Sequence, residues 1–334
     1  MLYPFKFKAR LFHKLWGGNT IAKWYDHVPD DYENVGEAWV MSDVEKYPTE
    51  VINGPHAGDD LQDLLEVYMD ELVGESVYDL FGNHFPLLLK FIDATDDLSI
   101  QVHPDDDYAL ENEDSLGKTE MWYILPSAGQ ASIFLGWNKP MNEDLVRASI
   151  EDGTLAGFLR AHDVQAGDTA FIPAGTVHAM RRDTIVAEIQ ENSDITYRLY
   201  DYNRVGMDGK KRPLKLEKAL EVVDFTPSDG TFVSHHQPVA NGVVNLADTP
   251  CFTTNLLTFE QTVQRDYALL DSFVAYMCVK GECVVEALDT DVTENTVTIR
   301  LGEAVLIPAA LCDIRLTPHG KCELLEIYIN ARQQ

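Results

Sequence analysis

The chain has 334 residues, 45% of them apolar, with 26 Lys and Arg against 55 Asp and Glu and a net charge of −29. A field of that sign repels polyanions, which excludes nucleic acid and anionic membrane surfaces as partners, and no apolar run reaches the eighteen or so residues of a membrane helix. Five cysteines without CxxC spacing (Cys251, Cys278, Cys283, Cys312 and Cys322) read as free thiols and exclude a disulfide framework or a zinc ribbon.

The start, Met1 to Lys8, lacks the basic and apolar stretches of a secretory signal, so a cytoplasmic protein is expected. Apolar residues at three- and four-residue steps predict a helix over Asp60 to Leu72. From Ser99 the pattern changes to alternation: Ser99, Gln101 and His103 share one face of a strand while Ile100 and Val102 point into a core. The run Asp105 to Asp107 follows Pro104 and reads as a helix cap on a solvated face. A second alternating segment places Lys118, Glu120 and Trp122 on one face and Met121 and Tyr123 on the other. A helix is predicted over Glu143 to Asp152. After Gly167 a short apolar strand meets a Pro-Ala-Gly-Thr turn, and His178 opens the returning strand.

Gln101, His103, Glu120 and His178 on three adjacent strands offer two imidazoles, a carboxylate and an amide oxygen to one divalent ion. Such a nitrogen and oxygen set, with a position left open, suits Lewis-acid chemistry better than a closed structural site. Further on, Arg198 shares a strand face with Thr196 and Tyr200, and a last helix is predicted over Leu214 to Val223. The segment Arg204, Lys210, Lys211, Arg212 and Lys215 is the main basic cluster of this acidic chain, either screening an anionic substrate or forming a solvated loop.

Short strands punctuated by Gly, Pro, Asn and Asp predict a mainly β protein, a sandwich or barrel. Gly167-Asp-Thr-Ala-Phe-Ile-Pro-Ala repeats as Gly302-Glu-Ala-Val-Leu-Ile-Pro-Ala with the same spacing, but the position matching His178 is Asp313. Two domains are therefore expected: 1–225, carrying the metal site and a short helical insertion near 140–160, and 226–334, a degenerate copy without ligands.

In order along the chain, Leu15-Trp-Gly-Gly, Val35-Gly-Glu-Ala-Trp, Pro86-Leu-Leu-Leu-Lys-Phe-Ile-Asp-Ala, Leu98-Ser-Ile-Gln-Val-His-Pro-Asp-Asp, Gly117-Lys-Thr-Glu-Met-Trp-Tyr, Ile172-Pro-Ala-Gly-Thr-Val-His-Ala and Glu188 to Asp201 resemble the type I mannose-6-phosphate isomerases in their short bacterial form. The resemblance implies two cupin-like jelly-roll domains and a zinc-dependent aldose–ketose isomerase acting on a sugar phosphate. It implies one Zn2+ per chain on Gln101, His103, Glu120 and His178. It also implies active-site roles for Lys118, Arg198 and Asp194, with Ser99 helping to hold the sugar phosphate beside Lys118 and Arg198. Lys215 stands where close relatives carry His, and the long helical domain of the larger enzymes is absent. As partners, a small-molecule sugar phosphate, no nucleic acid and no membrane are expected, in a monomer or weak homo-oligomer. Two histidines and a carboxylate also suit a cupin iron oxygenase, and the same pocket would serve a non-catalytic sugar-binding regulator. The Lys118 and Glu120 pairing and the amide of Gln101 favour the isomerase. The base of the reaction is left open among Lys118, Glu188 and Asp194.

Overall fold

The computed structural model describes residues 2–26, 28, 32–206 and 209–330. The expected mainly β architecture is the one the chain adopts, and it divides into two compact units, each built on two sheets. No helix among the described residues is long and apolar enough to cross a membrane.

The unit made of residues 11–38 and 90–235 carries every candidate site residue. One of its sheets has five strands, in the order Tyr197–Tyr200, Ile100–Val102, His178–Met180, Ser132–Trp137 and Leu159–Asp163. The other includes Glu120–Leu125 between Asp168–Ile172 and Thr184–Glu191. Alternation along the five-stranded sheet creates two separate cores. Outward residues Ile100, Val102, Val177, Ala179, Tyr197 and Leu199 pack with Val146 of the helix Glu143–Glu151 and with Ala219 and Leu220 of the helix Leu216–Val222. Inward residues Ile133, Leu135 and Met180 meet Trp122, Ile124, Ala170, Ile172 and Val186 of the opposite sheet. Gln101, His178 and Arg198 alternate with outward core residues, so their side chains turn to the inward side.

The other unit comprises residues 1–10, 39–89 and 236–334. Its six- and four-stranded sheets enclose a core that includes Leu257, Tyr276, Cys278, Val285, Ile299, Ile314 and Leu324. This grouping differs from a linear division at residue 225, because non-local pairing draws early segments to the C-terminal sheet. Phe5 pairs with Leu306, and the backbone amides of Phe273, Ala309 and Ala310 donate to the carbonyls of Val73, Leu72 and Glu71.

The helix expected over Asp60 to Leu72 is broken in two. Asp60 caps Leu61–Tyr68 through a reciprocal box with Asp63, but Met69 takes a left-handed φ of 48° before a short turn, Asp70–Val73. A further helix, Glu75–Phe81, has no counterpart in the sequence reading. Asp105 does cap a helix, Asp106–Glu113, its carboxylate accepting the Tyr108 amide. All five cysteines are free, three of them buried.

Candidate metal centre and active site

Two turns position the site. In the Pro-Ala-Gly-Thr turn, Gly175 has a φ of 79° and donates its amide to the His103 carbonyl at 2.8 Å, which joins the two histidine segments. At the Trp-Gly-Gly motif, a Cβ on Gly18 would meet the Asp93 carboxylate at 2.3 Å, and that carboxylate accepts the Thr20 amide at 2.7 Å. Glycine there lets the chain pass close to a buried carboxylate.

His103, Glu120 and His178 come together with the Gln101 amide beside them, from two sheets and not from three adjacent strands. His178 and Arg198 each lie opposite Gln101 on strands flanking it, whereas Glu120 comes from the facing sheet. His103 Nδ1 donates to the Ile195 carbonyl and His178 Nδ1 to the Thr176 carbonyl, both at 2.8 Å. Those bonds fix the tautomers and turn both Nε2 lone pairs inward. Glu120 Oε1 is 3.2 Å from His178 Nε2, and Oε2 is 3.7 Å from His103 Nε2. The Gln101 amide lies 3.3 Å from His178 Nε2 and 3.5 Å from His103 Nε2. One ligand atom from each of His103, Glu120 and His178 falls within 4.8 Å of the others, all three residues being buried.

Burial first, and then the neighbouring Lys118 ammonium, hold the His103 imidazole well below its ordinary pKa, and burial lowers that of His178. Both are therefore neutral at pH 7. For Glu120, burial alone would raise the carboxyl, but the Lys118 ammonium outweighs it and holds it down as the carboxylate. Neither Glu120 oxygen has a well-aligned hydrogen bond, although Lys118 Nζ lies 2.9 Å from Oε2. A buried carboxylate without such bonds is costly. Two neutral imidazoles around it fit a divalent ion, so His103, Glu120 and His178 can hold a metal, with the Gln101 amide beside them.

Burial would lower the Lys118 ammonium, but Glu120 and Glu188 outweigh burial and raise it. Ser99 is buried, its hydroxyl 3.4 Å from Gln101 Oε1. Arg198 is half-buried, its Nε enclosed without a hydrogen bond, and burial and then Arg212 lower its guanidinium pKa. Asp194 is exposed, one residue before the Ile195 carbonyl that receives His103, and is not drawn into the buried cluster.

A profile described as "Phosphomannose isomerase type I, catalytic domain" matches residues 4–121. Mannose-6-phosphate isomerase ManA of Bacillus subtilis is 32% identical over 320 residues, covering 96% of this chain and 97% of the relative. The chain belongs to the type I mannose-6-phosphate isomerase family. The mannose-6-phosphate isomerase of Streptococcus mutans is 39% identical over 237 residues, covering 69% of this chain and 71% of the relative. In three dimensions, the crystal structure of the mannose 6-phosphate isomerase from Bacillus subtilis superposes with a TM-score of 0.83 at 29% identity, covering 98% of this chain and all of that one.

Beside the His103, Glu120 and His178 cluster lies a second buried network, built on Glu188, whose other members Lys90 and Gln190 the sequence reading did not single out. Lys90 Nζ donates to Glu188 Oε1 at 3.0 Å and also to Gln190, while Trp122 Nε1 donates to Glu188 Oε2 at 3.1 Å. The Trp122 ring in turn meets the His178 ring edge-on, with centroids 5.5 Å apart. Burial raises the Glu188 carboxyl, opposed by Lys90 and reinforced by Glu120. The signal for this network was present: Lys90 and Asp93 are the charged residues of a fully buried, otherwise apolar strand, Leu87–Ala94.

Proposed function

We propose that this chain interconverts mannose 6-phosphate and fructose 6-phosphate through an enediol, using one zinc ion held by Gln101, His103, Glu120 and His178. The observation that carries this reading is the Glu120 carboxylate, buried between two neutral imidazoles with neither oxygen in a well-aligned hydrogen bond. A zinc ion there would supply Lewis-acid stabilisation of the negative charge that develops on the sugar oxygens, worth several kcal/mol.

The chain's own residues supply the rest. Moving one proton between C1 and C2 needs a group that accepts and returns it near neutral pH. Glu188, its carboxyl raised by burial, suits that role better than Lys118, which is held protonated and acts as a donor to a substrate oxygen. Arg198, beside Gln101 and with no ion pair among the described residues, stabilises negative charge on the substrate. Ser99 hydrogen-bonds the bound sugar phosphate, and Asp194 acts from the exposed rim in ring opening.

The test is a coupled assay on both sugar phosphates before and after chelation, with zinc add-back. Turnover that is lost on chelation and restored by zinc is expected. Fully metallated protein that turns over neither substrate would overturn the reading.

A further inference from the structure

Glu191 ends the strand Thr184–Glu191 and has no part in the chemistry above, yet its side chain replaces a main-chain bond beside the metal centre. Pairing of this strand with Glu120–Leu125 runs as far as Gln190 opposite Glu120. One step further, the Glu191 amide donates to the Thr119 carbonyl at 3.2 Å. In a regular antiparallel ladder the Thr119 amide would return that bond to the Glu191 carbonyl. It donates to the Glu191 carboxylate instead, with Oε2 at 2.6 Å. The Glu191 carbonyl is thereby released to a turn, where it accepts the Ser193 amide at 2.7 Å and Gln190 Nε2 at 2.8 Å. Gln190 Nε2 also donates to the Ser193 carbonyl at 2.6 Å, and Glu191 itself is buried.

We propose that Glu191 is a positioning residue of the metal centre, its amide and carboxylate clamping both peptide groups that join Lys118 to Glu120. This rests on the isomerase reading above and adds to it a residue outside the ligand set. The Thr119 amide belongs to the peptide that follows Lys118, and the Thr119 carbonyl to the peptide that precedes Glu120. One residue thus fixes the rotation of both planes. Those rotations aim the flanking side chains, which meet with Lys118 Nζ 2.9 Å from Glu120 Oε2 and 3.3 Å from His103 Nε2. The Lys118 amide is held from the other side, donating at 3.0 Å to the carbonyl of Pro104, next to His103. Glu191 acts on His103 as well, because the turn begun by its released carbonyl leads within four residues to Ile195, whose carbonyl receives His103 Nδ1 at 2.8 Å. An amide bonded to a carboxylate is short and charge-assisted, and groups that orient metal ligands are worth about 10- to 100-fold in metal affinity or activity.

The experiment uses the full-length protein and the variants Glu191→Gln, Glu191→Asp and Glu191→Ala. Glutamine keeps the reach and an acceptor oxygen but loses the charge; aspartate keeps the charge but is one methylene shorter. Zinc affinity is read by competition with a chromophoric chelator, independently of turnover, and kcat and KM on mannose 6-phosphate are read on zinc-loaded protein. Glu191→Asp and Glu191→Ala are expected to weaken zinc binding about 10-fold and to lower kcat by about 10- to 100-fold, the cost of displacing reacting groups by about 1 Å. KM should stay within about threefold, since the loss falls on the transition state, and Glu191→Gln should restore both zinc affinity and kcat to within about threefold of wild type. Wild-type zinc affinity and kcat in a folded Glu191→Asp or Glu191→Ala protein, even one that unfolds at lower urea, would reduce Glu191 to a residue that holds the fold and overturn the proposal. So would the reverse order, with Glu191→Asp intact and Glu191→Gln impaired, because charge and not reach would then be what matters. Zinc binding weakened in Glu191→Asp and restored in Glu191→Gln, in a protein with no isomerase turnover, would keep the positioning role and remove the isomerase reading.

Discussion

The two units carry the same strand arrangement around a buried, hydrogen-bonded glutamate and differ in what stands beside it. In the site-bearing unit Trp122 lies opposite Ala170 on one side and Glu188 on the other; in the second unit Tyr276 lies opposite Val305 and Glu326. Ala170 and Val305 each stand three residues after the glycine that opens the repeat, so Glu326 is the counterpart of Glu188. Glu326 is closed off: Arg265 donates Nε at 2.9 Å and Nη2 at 3.1 Å, Asn255 donates at 2.9 Å and Tyr267 at 2.5 Å, and Tyr267 also bonds Tyr276. Glu188 sits instead beside a carboxylate without aligned bonds, and the register puts Val274 where Glu120 stands. Glu120 has a single ammonium, Lys118 at 2.9 Å, and two neutral imidazoles around it, an arrangement that could hold a cation. In the second unit, full satisfaction of Glu326 marks a network that holds the fold together.

That difference breaks most sharply under matched substitutions. Glu120→Gln removes the only anionic donor of the metal set, and we expect metal content to collapse and turnover to fall by ~1000-fold or more, the scale of a lost Lewis-acid contribution. Metal analysis beside kcat checks it; an active, metal-replete Glu120→Gln protein would move the site elsewhere. Glu326→Gln should do the reverse. It leaves Arg265 without its buried counter-ion and should cost about 3 kcal/mol in urea unfolding, while kcat per folded molecule stays at the wild-type value. A Glu326→Gln protein with native stability and impaired catalysis would give the second unit a part in the reaction.

The next difference is in acid. His103 and His178 are buried neutral with pKa values below those of the unfolded chain, so as pH falls below about 6.5 the unfolded state takes up protons first. Metal-free protein should therefore lose stability from that point downward, by up to ~1.4 kcal/mol per pH unit for each imidazole. Glu120, held low, adds its own loss only at more acidic pH, where its carboxylate is finally protonated. Loading zinc should raise the melting temperature throughout and defer the acid loss, because the ion binds the folded state preferentially. Melting curves of chelated and loaded protein at pH 7.5, 6.5 and 5.5 provide the check; parallel curves would mean that the imidazoles are not the groups that titrate.

What could be read in the sequence was whatever a local period encodes. Alternation put Gln101 on one strand face and Ile100 and Val102 on the other, toward a core, and the Asp105 cap and the strand opening at His178 follow from turn chemistry within a few residues. Non-local pairing was invisible. Nothing around Glu120 says that its strand lies in the facing sheet, and nothing in residues 1–10 or 39–89 announces their grouping with the C-terminal sheet. The break at Met69 was missed because a left-handed methionine has no sequence signature of the kind a glycine gives. Lys90 was legible in principle, as a charge inside an apolar strand, but its partners lie 98 and 100 residues away.

The smallest effect belongs to Asp194, which separates the reading taken from motifs from the one taken from geometry. The family likeness puts it in the active site, whereas the fold leaves it exposed while its neighbour Ile195 carries the contact to His103 through a backbone carbonyl. A backbone contact survives side-chain substitution. Asp194→Asn should therefore retain metal and lose less than about tenfold in kcat, the low end of what a positioned acid or base contributes. If ring opening is its role, the loss should shrink further when the assay is run on fructose 6-phosphate, whose open-chain form is more abundant. A deficit of ~1000-fold in both directions would instead require Asp194 to reach the reacting carbons, and the loop that carries it to close over bound substrate.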